Sequence, residues 1–143
     1  MITGFLVSPD LSHRSISFEL DHAAQFLGGV TDDRVSVAFQ DDGNSFAALY
    51  NPDARESGAE PNPVASLGRG HAATGDSAFI SDPTAAISGP VIFVGAEGQD
   101  IALDEIERIK DGIRAVRTYR EDNEEDYRLW RAAVLNLGQF RIA

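Results

Sequence analysis

The chain has 143 residues, 43% of them apolar, and sets 23 acidic against 12 basic residues for a formal charge of −11. That is one domain's worth of chain with material for a sizeable core, so a single domain over residues 1–143 is expected. The charge disfavours direct contact with phosphate backbones, and the lack of cysteine excludes disulfides, zinc ribbons and thiol chemistry.

Residues 1–7 hold no basic residue and no long apolar core, so they do not read as a signal peptide. No stretch approaches the roughly 18 consecutive apolar residues of a membrane span. The expectation is a cytoplasmic chain with no membrane contact and no direct nucleic-acid binding.

Residues 2–7 read as a first strand, and Pro9 and Asp10 supply turn chemistry. Residues 15–20 alternate, with Ile16, Phe18 and Leu20 on one side, as a half-buried strand does. Asp21 can cap a short helix over residues 22–27, which Gly28 and Gly29 end. Val35, Val37 and Phe39 alternate again. Asp42 and Gly43 then mark a hairpin tip before the apolar run 46–50.

Residues 51–75 carry three prolines and four glycines and read as a long loop, with room for one helical turn at 64–67. Residues 78–80 are a further short strand candidate. Residues 91–94 are all apolar, which predicts a strand buried on both faces.

A helix begins near Asp104, whose spacing to Glu107 matches a capping box. Ile106, Ile109, Ile113 and Val116 form one apolar stripe, with Gly112 a weak point inside it. Tyr127, Trp130, Val134 and Leu137 form a second stripe. Arg120 and Asn123 interrupt the seam between them, which favours two helices broken near Asp122 and Asn123. One long bent helix is the alternative. In that case the second stripe projects from the domain and a second copy must bury it. The reading leans toward such a dimer.

Two segments carry a resemblance. One runs from Phe39, through Asp41, Asp42 and Gly43, to Tyr50 and Asn51, and on to Asn62, Pro63, Val64, Ala65 and Ser66. The other is the Gly-Pro turn and strand over residues 87–95. Together they resemble domain of unknown function 3846, a family of short proteins from actinobacteria and their phages. The resemblance covers residues 1–100 and leaves out the helical tail. It carries no activity over, and implies at most a small intracellular protein linked to phages or mobile elements.

The chemistry-bearing residues form no recognisable site. His13, His22 and His71 lack metal-ligand spacing. The glycine-rich segment 68–75 lacks the Gly-Lys-Ser/Thr ending of a phosphate loop. Asp41, Asp42 and Asn44 resemble a fragment of a calcium loop without its terminal glutamate, and a hairpin turn accounts for them. No serine stands in a G-x-S-x-G context.

The acidic tail is the feature with a physical consequence. Residues 97–126 hold eleven acidic and five basic residues, and Glu107, Asp111 and Arg114 are spaced to interact along one helix face. A solvated helix face accounts for much of this charge. Its sharper reading is a surface that imitates a phosphate array.

The expected fold is α+β, a small, mostly antiparallel sheet of five or six strands with a short packed helix and a helical C-terminal extension. The expected function is that of a non-enzymatic protein-binding or accessory protein, without cofactor or metal. Its candidate binding residues are Tyr127, Trp130, Val134 and Leu137, with Glu121, Asp122, Glu124, Glu125 and Asp126. The partner is a protein of unknown identity, or a second copy through the C-terminal helices. The alternative is an acidic inhibitor that imitates nucleic acid before a DNA- or RNA-acting protein. A small hydrolase using Asp41 or His71 comes third.

Overall fold

The computed structural model describes residues 1–27, 36–39, 46–51, 54, 59–64, 87–95 and 99–139. The class is α+β. Among the described residues five strands, β1 (Ile2–Val7), β2 (His13–Phe18), β3 (Ser36–Phe39), β4 (Phe46–Tyr50) and β5 (Val91–Gly95), form one sheet in the order β2-β1-β5-β4-β3. Every neighbouring pair is antiparallel. Two helices follow, α1 (Leu103–Asp122) and α2 (Glu124–Gln139).

β5 lies at the centre, and Val91, Ile92, Phe93 and Val94 are all buried. Their uniform apolarity has a direct cause, because both faces of the sheet are covered. Val91 and Phe93 join Phe5, Val7 and Ala48 beneath the two helices. Ile92 and Val94 join Ile16, Phe18 and Leu49 on the opposite face. On that second face Gly4 faces Ile16 across the strand pair. A Cβ on Gly4 would stand 2.6 Å from Ile92 and 2.9 Å from Phe18, so no larger residue fits without displacing the core.

β2 begins and ends two residues earlier than its alternation suggested. The turn before it is tight: Ser8 donates its N–H to the Ser12 carbonyl and Leu11 to that of Ser8, each at 2.9 Å. Leu11 takes a positive φ of 75° there, which its buried side chain offsets. Leu20 therefore falls outside the strand, in a 3-10 helix over Leu20–Phe26, where the short helix was expected at 22–27. Three residues per turn align Ala23 with Phe26. Ala23 is buried, and the Phe26 ring meets Phe18 edge-on at 5.9 Å.

β3 and β4 pair as the expected hairpin. Its tip at Asp42 and Gly43, the strand candidate at 78–80 and most of the loop 51–75 lie outside the described residues.

One buried polar side chain ties the sheet to the loop. Asn62 is fully buried. Its Nδ2 donates to the Val7 and Gly89 carbonyls at 3.0 Å each, and its N–H to the Ile87 carbonyl at 2.7 Å. The segments around Asn62 and Gly89 thus meet in space. Gly89 has a φ of +80°, the conformation that turns the chain into β5.

α1 starts at Leu103, not at the capping box expected from Asp104. The N-cap position is Ala102, and Glu105 reaches back to accept the Ala102 N–H at 2.9 Å. The entry to α1 is pinned to β1, where Ile101 N–H bonds the Thr3 carbonyl and Asp100 accepts the Thr3 N–H. The helix runs unbroken through Gly112 and ends at Asp122, where the interrupted seam predicted it.

Candidate functional site

Ile106, Ile109, Ile113, Val116 and Tyr119 turn the inner face of α1 onto the sheet. Arg114, Arg117, Arg120 and Glu121 stay on the exposed side. At Asn123 the backbone leaves the helical region, with φ −133° and ψ 50°. Its N–H still bonds the Tyr119 carbonyl, and its own carbonyl accepts the Tyr127 N–H at 3.0 Å. One non-helical residue therefore makes an elbow while hydrogen bonds persist on both sides. Glu124, Glu125 and Asp126 open α2, where carboxylates favour the positive end of the helix dipole.

An open groove of about 660 Å³ lies at this elbow. The β1–β2 turn contributes Asp10 and Leu11, α1 contributes Arg117, Arg120 and Glu121, and α2 contributes Glu124, Tyr127, Arg128 and Arg131. Arg131 grips Glu60 through two bonds, one of them Nε to Oε2 at 2.8 Å. Hydrogen bonding to Arg131 holds the Glu60 carboxyl below its usual range, and the same bonds raise the Arg131 pKa. Arg128 pairs with Glu125 at 2.6 Å. Asp10 accepts from both the N–H and the hydroxyl of Ser12, and these bonds lower its pKa.

Tyr127 forms part of the wall. Burial pushes its phenol up, and the Arg120 guanidinium lies 4.8 Å from its ring centroid. Behind it the Trp130 ring sits 5.7 Å away, with its Nε1 buried and lacking a hydrogen-bond partner among the described residues.

The structure divides the candidate binding residues into two groups. Tyr127, Trp130 and Val134 are 8%, 5% and 0% exposed, buried by the same chain's sheet and α1. Within the single chain they belong to the core cluster beneath the helices. Leu137 is helical, with its side chain outside the described residues. Glu121, Asp122, Glu124, Glu125 and Asp126 are all exposed around the elbow. Asp41 and His71, the residues of the hydrolase reading, lie outside the described residues, while His13 and His22 are exposed. Among the described residues no three His, Asp or Glu side chains are placed to hold a metal ion, and no helix is long and apolar enough to cross a membrane.

Sequence reasoning missed the arginine side of the groove. The spacing of Arg117 and Arg120 was available as a signal, since residues three apart share a helix face. The Glu60–Arg131 pair spans 71 residues and has no local signal. No family model, no curated protein and no solved structure matches the chain.

Proposed function

We propose that this chain is a non-enzymatic accessory protein that binds another protein through the acidic elbow between its C-terminal helices. The observation that carries this reading is the exposure of five carboxylates, Glu121, Asp122, Glu124, Glu125 and Asp126, within six residues at a fixed bend. Of these only Glu125 has a basic partner among the described residues. In a chain of charge −11, such a cluster steers association with a basic surface. The link to phages or mobile elements rests on the resemblance of residues 39–66 and 87–95 to domain of unknown function 3846.

Imitation of a phosphate array fits less well. Along the helices Glu107, Asp111 and Glu125 are each paired with a basic residue three positions on, so the helix surface alternates in sign.

Affinity capture from the host, with mass-spectrometric identification, tests the reading. The parent should recover a partner with a basic surface. A variant with Glu121→Gln, Asp122→Asn, Glu124→Gln, Glu125→Gln and Asp126→Asn should lose it, as should the parent at high salt. Equal recovery by parent and variant would remove the elbow from the interaction. A recurrent DNA- or RNA-acting partner would favour imitation of nucleic acid.

A further inference from the structure

The elbow groove also carries cations that the chain's own carboxylates leave unused. Arg128 and Arg131 are satisfied by Glu125 and Glu60. Arg117 and Arg120 have no carboxylate within 4 Å among the described residues, although Asp10, Glu121 and Glu124 line the same groove. Residues three apart on a helix are surface neighbours, so both guanidinium groups can reach one bound group. The Arg120 guanidinium carbon lies over the Tyr127 ring, 4.8 Å from its centroid, and the cation–ring attraction holds that end of the groove.

We propose that this groove is a carboxylate-binding cleft, in which Arg117 and Arg120 receive a carboxylate carried by a protein segment laid across the elbow. A planar guanidinium matches a carboxylate through paired N–H bonds. The groove touches the β1–β2 turn, α1 and α2, and its volume of about 660 Å³ exceeds what a single oxyanion fills. Glu121 and Glu124 on its walls repel a doubly charged phosphate more than a singly charged carboxylate. A segment can offer those two glutamates a basic group of its own, which a free anion cannot do. The net charge of −11 opposes a long acidic run, so the fitting segment carries one carboxylate beside a base. This site shares Glu121 and Glu124 with the acidic elbow but is read out at Arg117 and Arg120, so its test needs no knowledge of that surface's partner.

The test uses NMR titration of the full chain at constant ionic strength, following the Arg117 and Arg120 Nε–H signals. Three probes are compared: a short blocked peptide with one glutamate and one lysine, the same peptide with glutamine replacing the glutamate, and inorganic phosphate. The glutamate peptide should shift both signals saturably. Glutamine in the peptide, or Arg117→Gln in the protein, should weaken binding by about tenfold or more. Arg117→Gln spares the Arg120–Tyr127 stack, and an unchanged melting curve confirms the fold of the variant. Saturation by phosphate at equal or lower concentration would make this a free-anion site and overturn the proposal. So would a peptide response indifferent to glutamine or to Arg117→Gln, or no saturable shift with any probe.

Discussion

The Asn62 crossing and the helical elbow are both polar, and the chain treats them in opposite ways. At Asn62 the amide is fully buried, and its two Nδ2 bonds go to backbone carbonyls of separate segments. At the elbow the charges are exposed, and Arg117, Arg120, Glu121 and Glu124 stand near one another without an ion pair among the described residues. A buried polar group must be satisfied internally, so its bonds fix geometry and leave nothing for a ligand. Exposed charges held apart by a helical frame keep their bonding capacity for something else. The first arrangement is therefore structural and the second is open to binding.

The inner side of the elbow sets the largest expected effect. Trp130→Ala should cost about 3–5 kcal/mol, because the ring is buried against the core and little around it can collapse. Urea denaturation measures the loss, and sedimentation of the variant adds a second readout. If Trp130 anchored a subunit interface instead, the variant would dissociate with little change in midpoint per folded chain.

Next comes Asn62→Ala, at about 2–3 kcal/mol, since the Val7 and Gly89 carbonyls would lose their donor inside the protein. The groove titration should be unchanged in that variant wherever it remains folded. A loss of a few tenths of a kcal/mol would mean that the crossing is not a structural tie.

The two regions also differ in how far they could be read from sequence. The central strand was legible because four consecutive apolar residues have few other uses. The inner stripes of both helices were legible from their period, although Tyr119, also buried, escaped because Arg120 drew attention to the wrong phase. The break at Asn123 was legible from its polarity within the seam. The burial of Trp130 within its own chain was not, because a stripe specifies that a surface is covered and not what covers it. Asn62 stood out only through a family resemblance, and its donors reach residues 55 and 27 positions away. Nothing local in the sequence encodes such distances. The same holds for Glu60 and Arg131. The 3-10 geometry at Leu20–Phe26 depends on how closely the preceding strand ends, which shifted by two residues with the tight turn at Leu11.

A smaller effect belongs to the clamp between these regions. Glu60 precedes the crossing in sequence and holds Arg131 on α2. Both side chains are nearly half exposed, so solvent screening limits the pair to about 0–1 kcal/mol. The Glu60 pKa is lowered in the folded state. Its contribution is therefore fully present above the unfolded glutamate pKa and is lost as pH falls through the lower folded value. Parent and Glu60→Gln should differ in stability at pH 7 and converge below the usual glutamate range. A difference that grows on acidification would give the clamp the wrong sign.

The smallest expected effect runs in the opposite direction and bears directly on the comparison. Ser88 sits beside Gly89 and forms an isolated bridge with Pro61, the neighbour of Asn62. Its residue is 2% exposed, and its Oγ has no hydrogen-bond partner among the described residues. The crossing thus contains one hydroxyl that its carbonyls and amides do not serve. Burying an unpaired hydroxyl opposes folding, while replacing it by hydrogen leaves only a small void. Ser88→Ala should therefore be neutral or stabilising by up to about 1 kcal/mol, where Asn62→Ala is strongly destabilising. Chemical denaturation of the two variants side by side separates a bonded polar group from an unbonded one at the same crossing. A loss above about 1 kcal/mol for Ser88→Ala would show that the hydroxyl has a bonding role there, because the void from one oxygen is too small to account for it.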